Sequence, residues 1–152
     1  FKPINSKRFV NDCHEYIFHL TKSGDVPLQR REAGVTYADK SNIKRWAHTG
    51  GNDKRCRGNT WFIPYDTIIS RDKDRPHPAA FPVDLVKQCL TIHGVTGSTH
   101  LLDPFLGIGT SALAAQQMKL AHFTGFEIDD GYLAAARERL EADLKNTSSQ
   151  LI

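Results

Sequence analysis

Cysteine is scarce in this chain: Cys13, Cys56 and Cys89 are the only three among 152 residues, and they lie far apart. An odd, scattered set excludes a disulfide framework and a cysteine-based zinc site, and it points to a reducing compartment, the cytoplasm. Long apolar runs are missing too. Nothing approaches the ~18 residues of a membrane span, and the first residues lack the apolar core of a signal peptide, so no membrane partner is expected. Met118 is the single methionine and the chain opens at Phe1, which makes a piece of a longer polypeptide the expectation. The seven histidines supply no ligand pair: His14 and His19 fall in a predicted strand, where an odd spacing turns them to opposite faces. There is no internal repeat, and no two of the seven prolines are adjacent.

What is present suits one domain of ordinary size, with 39% apolar residues to form a core. The net charge of +3 is unevenly placed. Residues 1–76 carry 15 Lys/Arg against 9 Asp/Glu, whereas residues 77–152 carry 5 against 8. The cations are densest between Lys40 and Arg57, where Lys40, Lys44, Arg45, Lys54, Arg55 and Arg57 face the single acid Asp53. Such a segment suits a phosphate backbone, although a solvated surface has the same composition.

The most informative stretch runs from Leu101 to Thr110 (LLDPFLGIGT), a short apolar strand entering a glycine turn that opens an alanine-rich helix. Gly107 allows a tight reversal, Gly109 admits a ligand against the main chain, and the first amides of the new helix point toward it. A second strand, from His122 to Phe126, ends at Glu127, twenty residues after Gly107, where an acid accepts hydrogen bonds from two ribose hydroxyls. The pair specifies a nucleoside ligand. A dinucleotide satisfies the same loose pattern, but Asp103 at the strand end repels a pyrophosphate and attracts the amino group of a sulfonium-bearing donor such as S-adenosylmethionine.

The remaining elements frame this core. Glu15 to Lys22 is rich in β-branched and aromatic residues and reads as a mostly buried strand, with residues 1–24 belonging to the same sheet. Residues 25–76 lack periodicity and read as an irregular insertion with one short strand at Trp61 to Ile63, a length of connection that is usually functional. Its Trp46 and Trp61 either stack on bases or form its own small core; for Trp61 the second reading is preferred. Residues 77–146 read as an α/β region. A helix from Pro82 to His93 buries Leu85, Val86, Cys89, Leu90 and His93; the glycine-turn strand, a helix from Gly109 to Met118 and the second strand follow. Asp129 caps a last helix with Leu133, Ala136, Leu140 and Leu144 as its buried stripe, and the chain frays from Asn146, with 147–152 a tail. The fold class is α/β, half of a doubly wound sheet.

Three stretches together resemble the C-terminal half of a β-type DNA amino-methyltransferase. Asp103-Pro104-Phe105-x-Gly107-x-Gly109-Thr110 is similar to that family's motif I, His77-Pro78-Ala79-Ala80-Phe81-Pro82 to motif X, and Gly125-Phe126-Glu127-Ile128-Asp129 to motif II. Asn11 to Ile17 resembles the strand region ahead of the target-recognition segment, and Ser111 departs only modestly from the threonine common there. The resemblance implies a partial Rossmann-like methyltransferase fold with residues 25–76 as the target-recognition insertion. It implies S-adenosylmethionine as cofactor: Gly107 and Gly109 against the donor, Asp103 and His77, Pro78, Ala79 and Phe81 around its methionine portion, Glu127 on the ribose and Ile128 on adenine. Pro104, Phe105 and Thr110 complete the motif I contacts. It also implies double-stranded DNA as substrate and transfer to N6 of adenine or N4 of cytosine, with the base flipped and positioning as the main catalytic device.

The family's base pocket, an acidic or polar residue followed by two prolines and an aromatic ring, has no counterpart here. Methylation at carbon 5 is disfavoured, since no cysteine follows a proline. The expectations are therefore weak cofactor binding, no methyl transfer by this chain alone, and association with a catalytic half, another chain or a second copy through open sheet edges. The competing readings are a non-catalytic DNA-binding or specificity module on the same fold, and a nicotinamide oxidoreductase, for which no hydride-transfer site is visible.

Overall fold

A computed structural model describes residues 14–47, 50–64 and 80–149 of the chain. His77, Pro78 and Ala79 lie outside the described residues, as do residues 11–13 and 150–152.

The C-terminal part is a parallel αβαβα arrangement. Helix α1 (Val83–His93) starts from Pro82, whose extended backbone at the cap position suits a residue with no N–H to offer. It stops at Gly94, where a φ of 83° returns the amide to the Leu90 carbonyl at 2.9 Å. Leu90 is the buried centre of its apolar face; Leu85, Val86 and Cys89 are half-buried, and His93 is exposed. Strand β3 (His100–Asp103) pairs in parallel with β4 (His122–Gly125), in a register that puts His100 beside His122 and Asp103 beside Gly125. Helix α2 (Thr110–Gln117) makes the crossover, and its Ala112, Ala114 and Ala115 are almost inaccessible, small side chains that bring α1 and the last helix close on either side. Helix α3 (Asp130–Ser149) is capped by Asp129, whose carboxylate accepts the Tyr132 amide at 3.0 Å. This is a mixed α/β fold of partial Rossmann-like type, predicted to within a residue or two at most boundaries.

Side-chain amides lock α2 to α3. Gln116 donates to the Leu140 carbonyl at 3.1 Å and to Asp143 at 2.8 Å, and Gln117 donates to the other oxygen of Asp143 at 2.6 Å. These bonds hold the Asp143 carboxyl below its usual range. The expected fraying at Asn146 does not occur: α3 continues to Ser149, and the hydroxyls of Thr147 and Ser148 bond back to carbonyls four residues earlier at 2.9 Å. The buried stripe ends sooner than expected, since Leu144 is 54% exposed.

The insertion forms a small unit on a two-stranded antiparallel ladder, β1 (Val35–Thr36) with β2 (Lys54–Arg55). A single 3-10 turn, Ile43–Arg45, buries Ile43, and Trp46 meets Tyr37 edge-on at 5.3 Å, so Trp46 belongs to the unit's own core. The ladder lies where sequence showed only irregular chain. The strand expected at Trp61 to Ile63 is absent, and the Trp61 indole instead closes a local loop on the Gly58 carbonyl at 3.1 Å. The strand expected over Glu15 to Lys22 is also corrected. It carries no ladder, and Tyr16, Phe18 and Leu20 are exposed to 80% or more. A strand forms only where a neighbour takes its amides and carbonyls, and β-propensity supplies no neighbour.

Candidate functional site

The C-terminal ends of β3 and β4 open into a cleft of about 620 Å³, the position where parallel α/β sheets receive ligands. Phe81 and Ala80 close it from the start of α1; Pro104 to Ile108 with Thr110 form one wall, and Phe126, Glu127 and Ile128 the other. The two walls are stitched by main-chain bonds. The Phe126 amide donates to the Asp103 carbonyl at 2.9 Å, and the Leu106 amide donates to the Phe126 carbonyl at 2.8 Å.

Glu127 is the ionised group of this cleft. One oxygen accepts the Gly107 amide at 2.7 Å; the other accepts the amides of Ile128 at 2.9 Å and Asp129 at 3.0 Å. Bonds from the Asp129 and Gly107 amides, aided by Ile128, push the carboxyl below its usual range and keep it charged. A carboxylate has about four acceptor positions, so roughly one stays available to a ligand while all three amides are held. Around it the surface is apolar and wet: Ile128 is fully exposed, Phe105 86% and Phe126 60%. Covering such surface is favourable for a flat, partly apolar ligand.

Of the residues expected from sequence, Phe81, Pro104, Phe105, Gly107, Thr110, Glu127 and Ile128 line the cleft. Asp103 and Gly109 do not. The Asp103 carboxylate turns into the loop, where one oxygen accepts the Phe105 amide at 2.9 Å and the other a short hydrogen bond from the Ser111 hydroxyl. Gly109, at a φ of 78°, directs its missing side chain at α3: a Cβ there would lie 2.8 Å from that of Ala136. The close approach that requires glycine is thus made by a helix. Leu106, Ile108 and Phe126 line the cleft without having been singled out, and Arg139 braces it from behind, donating to the Ile108 carbonyl at 2.6 Å and reaching the Thr110 hydroxyl at 3.4 Å. No side chain caps the start of α2.

The basic residues of the insertion differ in their surroundings. Lys40 is paired with Asp53 at 2.8 Å, which also lowers the Asp53 pKa. Lys44 and Arg45 are exposed on the 3-10 turn, Lys54 and Arg55 alternate along β2 with Lys54 half-buried, and Arg57 borders a second, smaller cleft. Among the described residues no three His, Cys, Asp or Glu side chains converge as metal ligands, and no helix is long and apolar enough to cross a membrane.

A parallel strand pair with an acid fastened to a glycine turn is an α/β arrangement that suits a nucleoside ligand. The comparisons narrow the class: the family model for N6/N4-type DNA methylases matches residues 1–138, and the chain belongs to that family. It is 29% identical over 143 residues to the Type II methyltransferase M.SmaI of Serratia marcescens, an alignment covering 91% of this chain and 43% of that protein. It is 39% identical over 156 residues to M.ScaI of Streptomyces caespitosus, covering 96% of this chain and 46% of the relative. The chain therefore spans less than half the length of these relatives. Among solved structures it is similar to the M1.HpyAVI–SAM complex, with 29% identity, a TM-score of 0.41, and coverage of 57% of this chain and 41% of that one.

Proposed function

We propose that this chain is the donor-binding part of a DNA amino-methyltransferase, taking S-adenosylmethionine in the cleft and serving methyl transfer to N6 of adenine or N4 of cytosine in double-stranded DNA, in the cytoplasm. The observation that carries the reading is the charged Glu127 beside Gly107, flanked by the exposed Phe105, Phe126 and Ile128. An acid that stays ionised suits a ribose hydroxyl and a positively charged donor; a dinucleotide satisfies the same ribose contact, and membership of the DNA methylase family supports the methyl donor instead. Bound S-adenosylmethionine supplies an electrophilic methyl group on sulfur. The chain's own residues hold the ribose at Glu127, cover adenine with Ile128 and Phe126, and exclude water with Phe81 and Phe105. Asp103 acts through the turn it braces, and His77, Pro78 and Ala79 are proposed to complete the methionine end.

No adjacent prolines are available to form the base pocket. The pocket then belongs to a complementary part, and among the described residues β3 and β4 each have one neighbouring strand, leaving edges for it. Leu102, 58% exposed on β3, and Tyr16, Phe18 and Leu20 supply apolar surface for that part or for a second copy. Residues 25–76 are proposed as the target-recognition segment, with Lys44, Arg45, Lys54, Arg55 and Arg57 toward phosphates and Lys40 acting through its pair with Asp53.

Calorimetric titration with S-adenosylmethionine, with NAD in parallel and Glu127→Ala as control, tests the reading. Saturable but weak binding of the methyl donor, lost in the variant, is expected, with no labelled methyl reaching DNA from this chain alone. Binding of NAD instead, or neither ligand on a folded chain, would sink it and favour the non-catalytic DNA-binding module.

A further inference from the structure

A second cleft, about 270 Å³, lies between the insertion and the outer side of α1. Arg57 and Phe62 border it from the insertion, and Lys87, Gln88 and Asp84 from the helix. Three features set it apart from ordinary surface. Phe62 is 91% exposed, an aromatic ring with almost none of its area covered. Two cations, Arg57 and Lys87, border it with one carboxylate, Asp84; Lys87 sits 3.7 Å from Asp84, too far to commit an ammonium proton to it, and is also attracted by Asp143 on α3. The side-chain nitrogen of Gln88 is inaccessible and has no hydrogen-bond acceptor, the one such buried side-chain atom among the described residues. An orphaned donor costs about 1–3 kcal/mol, a penalty that an acceptor brought by a ligand removes once the side chain turns toward the cleft.

We infer that this cleft receives a single unstacked nucleotide of the DNA, with the phosphate between Arg57 and Lys87, the base stacked on Phe62, and an acceptor atom of the nucleotide meeting the amide of Gln88. The inference rests on the reading of the chain as a DNA-acting protein and adds a contact distinct from the donor cleft. A ring that accepts any base, two cations and an amide donor match the three parts of a nucleotide: π-face, phosphate and acceptor edge. A cleft this small admits a nucleotide and not a duplex. The site consequently favours strand ends or bases already displaced from the stack.

The test is fluorescence anisotropy of the 152-residue chain with a short labelled DNA single strand and with the matching blunt duplex, across a salt series. Phe62→Ala is expected to weaken single-strand binding about tenfold, with a smaller effect on the duplex. Arg57→Ala should reduce the single-strand salt slope by about 0.7. Gln88→Leu removes the orphaned donor, so it should weaken strand binding several-fold while leaving the melting temperature unchanged or raised, a combination that a purely structural Gln88 does not produce. S-adenosylmethionine titrations of the three variants should match the unaltered chain. If that chain binds no single strand, or Phe62→Ala and Arg57→Ala bind it unchanged, the inference is overturned. The variant pattern on DNA in a chain that ignores S-adenosylmethionine would uphold this site and overturn the donor reading instead.

Discussion

The Glu127 carboxylate accepts the main-chain N–H of Gly107 at 2.7 Å, tying the glycine turn after β3 to the chain leaving β4 across twenty residues of sequence. The bond makes one group both a brace for the glycine turn and the charged wall of the cleft proposed for the donor. Structure and ligand recognition therefore share a single titration.

That sharing fixes a pH dependence. The folded-state pKa of Glu127 is depressed below its ordinary 4.5 by the three amides, so its stabilising contribution is complete above that value and is lost as pH falls through the lower folded value. Donor affinity is expected to stay flat from neutral pH to about 4.5 and to fall only in stronger acid. Glu127→Gln should lose about tenfold in donor affinity at neutral pH and show a flatter stability profile in acid, because its amide does not titrate. Parallel titrations and melts from neutral to acid pH check both; an affinity that halves already near pH 6 would contradict the assignment.

Arg139 does a different job at the same turn. Its guanidinium donates to the Ile108 carbonyl at 2.6 Å from α3, so it sets where the loop between Gly107 and Gly109 sits. Removing a charged donor from a half-buried carbonyl costs about 2 kcal/mol. Arg139→Met is expected to lower stability by that amount and to weaken donor binding, while Arg139→Lys restores part of both. Equal donor affinity in Arg139→Met and the unaltered chain would show that the turn holds its shape without the brace.

The C-terminal half of this fold was legible because its signals are local. Leu101 and Leu102 lead into glycines that need φ values of 54° and 78°, and Pro82, Gly94 and Asp129 punctuate helices in the way their backbone chemistry demands. What was missed depends on partners distant in sequence or on none at all. Tyr16, Phe18 and Leu20 have the composition of a strand but no neighbour among the described residues, while the Lys54–Arg55 strand has a neighbour and no telling composition. The direction of Asp103 was equally hidden, since a carboxylate at a strand end faces ligand or loop according to the hydroxyl eight residues on at Ser111. Arg139 reaches the turn from 31 residues away, and no spacing rule connects them.

Lys119 ends α2 at a φ of 57°, in the left-handed region that a side chain disfavours. The amide of Leu120 closes on the Ala115 carbonyl at 2.9 Å and that of Lys119 on Gln116 at 3.0 Å, the double bond pattern of a glycine-terminated helix without its glycine. Lys119→Gly is expected to stabilise the chain by about 1 kcal/mol, with the donor cleft untouched. Chemical denaturation reads the shift directly.

Gly109 and Ala136 give the sharpest steric prediction. A Cβ on Gly109 meets the Ala136 Cβ at 2.8 Å and its Cα at 3.2 Å, and the backbone there is left-handed as well, so Gly109→Ala incurs two separable penalties. The conformational one is about 1–2 kcal/mol, and overpacking against a helix adds about 1–3 kcal/mol. Ala136→Gly removes the obstructing methyl and leaves the backbone strain in place. The double variant should therefore regain the packing share and keep the rest, giving a coupling of about 1 kcal/mol or more in a double-mutant cycle. Donor binding discriminates further. If Gly109 serves helix packing, affinity recovers with stability in the double variant; if a ligand presses on its backbone, affinity stays low after stability has returned.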